Sequence, residues 1–394
     1  MHDEPGRHAG VDGLRALAMT MVIAQHCGLL PFGWTGVWLF YVISGFVIGR
    51  SLEREPHAPT WTEGRAQLLR FWRRRAARIV PAYGLYLTFN VVLLVALGRH
   101  EPLASLPWLL SFTHNWWMIF EPGSAAAWPP FGHLWTLSVE QQFYLLFPLL
   151  ALTLGPSLRA RVSLALVVLS PLARWAWSQW LATQGLSEGQ QAFGVYAASH
   201  VQFDAFLLGT LLAHAEQQGG LKGAAGRLLA QGLTRWALAA GLAYIAVYAL
   251  VNMQARQDTG IDVWRNLLSG VLLGQGRELW VYSAVALAAT ALLAQTLIAR
   301  PALAWLSAPY WAAVGRASYS GYLFHLLLLW TAGEAMGLRV RELPLGERLA
   351  AFATVWLATA VLAWWSHRHV ELPAQRWLAG PRALPPPSLQ PNQG

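Results

Sequence analysis

Two side chains that could do chemistry stand eleven residues apart in the first apolar run of the chain, Arg15 and His26. A helix turns about 1100° over that spacing, so both side chains lie on one face, about 16.5 Å apart along the axis. An ionisable side chain inside a membrane span is costly and is a functional candidate by default. A snorkelling arginine and a packed histidine that donates to a backbone carbonyl would give the same pattern, so this run alone leaves both interpretations open.

A second candidate group is the run of arginines at positions 73–75 and 78. Arg75 and Arg78 are three residues apart at a predicted helix start, so their guanidinium groups can form a fork toward phosphate oxygens. A phosphorylated cytoplasmic ligand such as coenzyme A would suit that fork. The same run also predicts a positively charged anchor at the membrane surface.

A third candidate is Glu140, about two turns into a predicted span, with Tyr144 one turn further along the same face. A carboxylate at that depth is expected to pair with a cation, to be held neutral, or to bond to a histidine. His26 reaches a comparable depth from the opposite side, so a His26–Glu140 pair is geometrically feasible. Histidine is also the side chain whose ordinary pKa suits a base acting on a hydroxyl group near neutral pH.

The elements that must position these side chains are membrane helices. Hydrophobic residues make up 55% of the chain and charged residues only 12%, whereas soluble domains carry about 25% charged residues. Apolar runs of roughly 17–22 residues recur from end to end, long enough to cross the hydrocarbon core as helices. We therefore predict an all-α, polytopic integral membrane bundle of about ten transmembrane helices. The predicted spans are residues 11–30, 34–51, 78–97, 134–154, 161–182, 199–214, 235–252, 279–298, 310–332 and 348–366.

The net charge of +9 does not indicate a nucleic-acid partner, because the basic residues lie between the apolar runs. Nineteen of them fall in segments on the side of the N-terminus and seven on the other side. The positive-inside rule then predicts that both termini are cytoplasmic. We expect residues 1–376 to form one transmembrane domain and residues 377–394 a Pro-rich, disordered tail. The single cysteine, Cys27, excludes an internal disulfide and a thiolate metal cluster.

Several stretches follow one another along the chain in a characteristic order. They are residues 12–15 (DGLR) followed by His26, residues 40–46 (FYVISGF), Arg75 with Arg78, residues 134–144 (LWTLSVEQQFY), 203–209, 318–325 and 371–373. In this order, they resemble the acyltransferase-3 family of integral membrane acyltransferases, which includes bacterial O-antigen and exopolysaccharide O-acetyltransferases. The resemblance runs from about residue 11 to residue 373. It departs from the family pattern at Thr136, where serine is usual, and at Gln202, where a basic residue is common, so Gln202 receives no ligand role.

The resemblance implies an enzyme that moves an acyl group from acyl-CoA, with acetyl-CoA expected, to a hydroxyl of a cell-envelope saccharide or small glycosylated acceptor. It implies His26 as the catalytic residue, Glu140 in support, and Arg15, Arg75 and Arg78 on the donor. No tightly bound cofactor and no metal are expected. The implied location is the bacterial cytoplasmic (inner) membrane, with the lipid bilayer and no nucleic acid as partners. Further candidates along the substrate path are Asp12, Ser44, His133, Tyr144, Asp204, Tyr319 and His325.

Two other classes of protein stay open on sequence alone. A proton-coupled transporter or flippase of a lipid-linked or anionic substrate would use Arg15, His26 and Glu140 as a relay. Such a protein has no specific need for the arginine run. A membrane sensor or scaffold without catalysis would tolerate the loss of His26.

Overall fold

The computed structural model describes residues 8–54, 60–121, 128–255, 260–271 and 276–379, and within these ranges the regular structure is entirely helical. The fold is therefore an all-α membrane bundle. Its first five helices are α1 (Ala9–His26), α2 (Thr35–Glu53), α3 (Trp61–Ala96), α4 (Leu106–Leu110) and α5 (His114–Phe120). They are followed by α6 (Trp135–Thr153), α7 (Pro156–Ala182), α8 (Glu188–Ala197), α9 (Phe203–Gln217), α10 (Gly223–Ala255) and α11 (Ile261–Leu268). The last are α12 (Arg277–Leu297), α13 (Pro309–Arg316), α14 (Ser318–Met336), α15 (Leu345–Ser366), a π-helical turn (His367–Glu371) and α16 (Leu372–Ala379).

Local sequence explains where several helices begin. Thr60 caps α3 in a capping box with Glu63, which satisfies backbone donors at the helix start. Proline stands in the first turn of α7 and α13, at Pro156 and Pro309, where a missing N–H costs nothing. These signals and the apolar runs agree, so each predicted span contains a helix.

The bundle centre is built around α2, which packs most extensively on α9. Glycines allow this close crossing: a Cβ on Gly45 would lie 2.0 Å from the carbonyl oxygen of Phe206, and one on Gly209 would lie 2.1 Å from that of Val42. Small residues at a crossing let helix backbones approach within a membrane. In the most apolar 18 residues of α2, 61% are buried, against 17% in α7 and in α10. Helix α2 is thus central, while α7 and α10 are peripheral.

Helices long and apolar enough to cross a membrane number six in the described ranges. They are α2, α3, α7, α10, α12 and the continuous helical run from Leu345 to Leu378. The ten predicted spans and the cytoplasmic termini remain predictions.

The structure differs from the predicted spans in four places. The first helix ends at His26, before residue 30, and the sixth span begins with a 3-10 turn, Ser199–Val201, that precedes α9. The third span, except for residue 97, lies inside the 36-residue helix α3, which starts well before it, and the ninth is broken at Ala317 between α13 and α14. Of the predicted tail, residues 377–379 continue α16, and residues 380–394 lie outside the described residues.

Candidate active site

A cavity between α1, α2, α3, α6 and α14 collects most of the predicted site residues. It measures about 700 Å³ including the space at its open mouth. We call it the arginine cavity. Seven predicted residues line it: Arg15, Ser44, Arg75, Arg78, Glu140, Tyr144 and Tyr319. Two arginines come from α3 and the third from α1, so three cations from two helices face one cavity.

Helix packing and local contacts hold these arginines in place. Asp12 is buried and binds Nη1 of Arg15 through Oδ1 at 3.0 Å, one helical turn away. The guanidinium of Arg75 lies over the rings of Phe71 and Tyr144, 5.4 Å from each ring centroid. Asp12 therefore orients a cavity arginine and is not itself among the residues that line the cavity.

Glu140 belongs to the arginine cavity, apart from His26. Its Oε1 accepts hydrogen bonds from Ser44 Oγ, at 2.5 Å, and from the hydroxyl of Tyr144. The ring of His26 instead contacts Arg341 and His325. The structure thus does not form the His26–Glu140 pair considered from the sequence. His26 is the last residue of α1 and lies against Arg341 and His325, whereas Ser44 and Tyr144 hold the carboxylate of Glu140.

Three histidines cluster on the far side of the arginine cavity. The ring centroid of His325 lies 5.3 Å from that of His26 and 5.0 Å from that of His133. His133 and His325 are buried, and burial lowers the pKa of His133, with the neighbouring His325 acting in the same direction. In the described ranges no group of three or more His, Cys, Asp or Glu side chains could hold a metal ion.

Tyr322 separates the histidine cluster from the arginine cavity. It lines the cavity, and its hydroxyl is 2.8 Å from Oγ1 of Thr136. Its ring centroid lies 5.3 Å from that of His133 and 5.4 Å from that of His325. Tyr322 stands within the motif at residues 318–325 but is not among the site residues predicted from the sequence.

A second cavity lies beyond His26, and we call it the vestibule. It measures about 1430 Å³ including the space at its open mouth, and His26, Trp330, Glu334, Arg339, Arg341 and Glu342 are among its lining residues. No lining residue is common to the vestibule and the arginine cavity. His26 therefore faces a different compartment from the three predicted donor arginines.

Asp204 does not join either cavity. Its Oδ2 binds Nη2 of Arg174 at 2.6 Å, and both side chains are fully buried. Ser170 and Ser283 donate to the same carboxylate oxygen at 3.0 and 2.8 Å. Asp204 thus belongs to a buried polar cluster between α7, α9 and α12, in which Arg174 is its ion-pair partner.

Comparison with known proteins agrees with the motif pattern. The sequence model of the acyltransferase-3 family, described as an acyltransferase domain, matches residues 8–366. O-acetyltransferase OatA from Staphylococcus aureus (strain NCTC 8325 / PS 47) is 36% identical over 152 residues, which cover 36% of this chain and 24% of OatA. A protein named "Putative O-acetyltransferase SACOL0978" from Staphylococcus aureus (strain COL) is 29% identical over 231 residues, covering 52% of this chain and 34% of the relative.

The chain thus spans about a quarter to a third of the length of these relatives. No solved structure matches it. The family match covers nearly the whole helical bundle, including both cavities and the histidine cluster between them. The chain belongs to the acyltransferase-3 family of membrane acyltransferases.

Proposed function

We propose that this protein is a membrane O-acyltransferase, in the first instance an O-acetyltransferase. It takes the acyl group from acyl-CoA on the cytoplasmic side and delivers it to a hydroxyl of a saccharide or glycosylated acceptor on the other side. The observation that carries the proposal is the convergence of Arg15, Arg75 and Arg78 on one cavity. Family membership and the names of the two relatives support the reaction class.

The arginine cavity suits the phosphate-bearing end of the donor. Guanidinium groups bind phosphate oxygens through paired, charge-assisted hydrogen bonds. The Oε1 atom of Glu140 already accepts hydrogen bonds from Ser44 and Tyr144. We therefore assign to Glu140 the role of shaping the cavity beside Arg75. The acyl arm then extends along α1 toward Tyr322, and this geometry uses the long pantetheine arm of coenzyme A.

His26 suits the acceptor side, because it lines the vestibule. As general base it removes the proton from the acceptor hydroxyl while the oxygen attacks the thioester carbonyl. The new C–O bond forms, the C–S bond breaks, and the proton passes from His26 to the departing thiolate. An acyl-His26 intermediate would use the same residue in two steps. Either route requires an opening between the arginine cavity and the histidine cluster, where Tyr322 lies.

Donor binding tests the proposal directly. Each lost phosphate contact should cost on the order of 1.5–3 kcal/mol, so Arg75→Ala combined with Arg78→Ala should weaken acetyl-CoA binding by at least about a hundredfold. The matched control is Arg70→Ala with Arg74→Ala, which removes two exposed charges from the same helix and leaves the cavity lining intact. Binding is measured by titration calorimetry on the purified, full-length protein.

The two rival functions predict different results. In a transporter or flippase that does not use acyl-CoA, neither double variant would change acetyl-CoA binding, because wild type would not bind it. In a sensor or scaffold, acetyl-CoA could bind but no acyl transfer or thioester hydrolysis would follow. Equal affinity of the two double variants for acetyl-CoA would remove the donor role from the arginine cavity.

A further inference from the structure

Arg341, a residue outside the predicted site, is docked on His26. Its Nη2 lies 3.3 Å from Nδ1 of His26, and its Nε donates to the backbone carbonyl of the same residue at 3.1 Å. Arg341 stands in the short helical turn Val340–Glu342 between α14 and α15, and its side chain is exposed in the vestibule. The guanidinium of Arg341 therefore contacts both the ring and the backbone of His26, the proposed base.

This contact fixes the protonation pattern of the imidazole. Arginine has only donors, so Nδ1 of His26 must be the acceptor and the proton of the neutral ring sits on Nε2. While the contact lasts, Nδ1 has its lone pair engaged and Nε2 already carries hydrogen. A guanidinium at this distance also opposes formation of a second positive charge on the ring. His26 cannot take a proton from a hydroxyl until Arg341 moves away.

The positive charge of Arg341 is available to an anion. In the described part of the chain, no carboxylate oxygen forms an ion pair with it within 4.0 Å. The adjacent Glu342 pairs instead with Arg339, at 3.4 Å. Glu334 is the other carboxylate that lines the vestibule, and it is exposed. An exposed cation next to the base, in a cavity wide enough for a sugar, is suited to recognise a negative group on the acceptor.

We propose that the acceptor carries a carboxylate or phosphate close to the hydroxyl that is acylated, and that this anion draws Arg341 off His26. Arg341 is then both a specificity residue and a latch: the base is released only when an anionic acceptor is in the vestibule. Water carries no negative charge that would draw Arg341 away, so the latch limits wasteful hydrolysis of the donor. The inference rests on the proposed function for its acceptor.

The latch can be tested without catalysis, through the reactivity of His26 toward diethyl pyrocarbonate. This reagent adds to the free lone pair of an imidazole, and mass spectrometry locates the added group. The full-length protein is compared in the presence of glucose, glucuronic acid, glucose 6-phosphate, and glucose with sodium chloride at matched ionic strength. The variants are Arg341→Gln and, as the control, Arg99→Gln, which removes an exposed arginine outside both cavities.

Wild-type His26 should react slowly with glucose, with or without salt, and at least about tenfold faster with either anionic sugar. That factor is what the loss of one charge-assisted hydrogen bond typically gives. Arg341→Gln should react at the fast rate in every condition, and Arg99→Gln should behave as wild type. A response to glucuronic acid alone would identify the anion as a carboxylate, and a response to the phosphate alone would identify it as a phosphate.

Two results would overturn the inference. One is a His26 rate that is the same in wild type and Arg341→Gln; the other is acceleration by sodium chloride equal to that by the anionic sugars. Acetyl-CoA binding, measured on the same preparations, separates this failure from failure of the proposed function. A wild type that binds acetyl-CoA but shows no latch contradicts only the inference. A wild type that shows the latch but does not bind acetyl-CoA contradicts the donor assignment.

Discussion

Residues of the same type have different roles in this protein because their surroundings differ. Arg15 faces a cavity and is oriented by Asp12, whereas Arg174 is fully buried against Asp204. A buried pair satisfied by its own partner has little capacity left for a ligand. An arginine on a cavity wall can instead contact a molecule that enters the cavity. The contrast supports a substrate role for Arg15 and a structural role for Arg174.

His26 gives the sharpest prediction at this scale. His26→Ala removes the general base, which typically costs about 10²–10⁴-fold in rate. Acetyl-CoA binding should persist, because His26 is not among the residues that line the arginine cavity. Transfer by wild type should also fall at acid pH, since a protonated imidazole cannot accept the hydroxyl proton. Transfer is measured with radiolabelled acetyl-CoA, and binding by calorimetry on the same samples.

A folded His26→Ala variant with near-normal transfer would refute this mechanism. The control is Gln25→Ala, a neighbouring position on α1 that is half-buried and outside both cavities. The control should keep both transfer and donor binding. It separates loss of the imidazole from disturbance of the end of α1.

The sequence predicted the members of the arginine cavity better than the contacts between them. Ionisable and polar side chains inside apolar runs stand out in a sequence, and this signal found Arg15, Glu140 and Tyr319, while Ser44 was found through the motif at residues 40–46. Which side chain meets which depends on the depth and rotation of each helix, and periodicity does not fix these. Glu140 therefore accepts hydrogen bonds from Ser44 and Tyr144, whereas the sequence suggested His26 as its partner. Arg341 was not identified because, in sequence, it is one more charge in a polar loop.

Among the helices, α1 connects the two cavities, since it carries Arg15 on one and His26 on the other. It can do so only because its neighbours approach closely. A Cβ on Gly315 of α13 would lie 1.7 Å from the carbonyl oxygen of Asp12, and one on Gly13 would lie 1.9 Å from that of Leu306. Backbone atoms cannot yield as a flexible side chain can. The position of Asp12, and with it that of Arg15, is fixed by this packing.

Gly315→Ala should therefore weaken acetyl-CoA binding although residue 315 does not line the arginine cavity. The added methyl group must push α13 away from Asp12, at a cost of about 1–3 kcal/mol or more for overpacking. Gly84→Ala in α3 is the control, since nothing lies within 4 Å of a Cβ at that position. Thermal unfolding in detergent and acetyl-CoA titration report the two effects. A Gly315→Ala variant as stable as Gly84→Ala would show that the crossing is loose.

The Arg174–Asp204 pair predicts a second effect between helices. Arg174→Met should destabilise the protein by about 3–5 kcal/mol, because it leaves the Asp204 carboxylate buried without its cation. Arg174→Met combined with Asp204→Asn removes both charges, so much of the loss should be recovered. Thermal unfolding midpoints of the two variants provide the comparison. Asp204 would regain its candidacy as a substrate residue if the double variant were stable but lost transfer.

Helix positions were largely predictable because length and apolarity leave few alternatives in a bilayer. The breaks within the predicted spans were not predictable in this way. The ninth predicted span reads as one apolar run, yet the chain turns at Ala317, which places Ser318, Tyr319 and Tyr322 on the wall of the arginine cavity. That turn depends on α13 packing against α1, a contact between distant parts of the chain. The local sequence therefore does not predict the turn at Ala317.

At the scale of the whole molecule, four of the helices that carry candidate functional residues are shorter or less apolar than the six long apolar helices. The predicted spans that fall outside the six long apolar helices are those of α1, α6, α9 and α14. These helices carry Arg15 and His26, Glu140, Asp204, and Tyr322 with His325. Polar residues lower their hydropathy, and α9 has only 15 residues. Such helices can still cross a membrane where protein rather than lipid surrounds them. We therefore keep ten spans as the prediction.

Cysteine accessibility distinguishes ten spans from six. The only native cysteine, Cys27, is buried, so a membrane-impermeant maleimide should give little background. With ten spans and a cytoplasmic N-terminus, Arg54→Cys and Gln218→Cys lie inside and label only after the cells are opened. Gln184→Cys and Glu342→Cys then lie outside and label in intact cells; all four positions are exposed. With only the six apolar helices crossing, residues 54 and 218 would move to the outer face. Labelling of either in intact cells would contradict the ten-span topology, and with it the placement of the arginine cavity on the side where acyl-CoA is made.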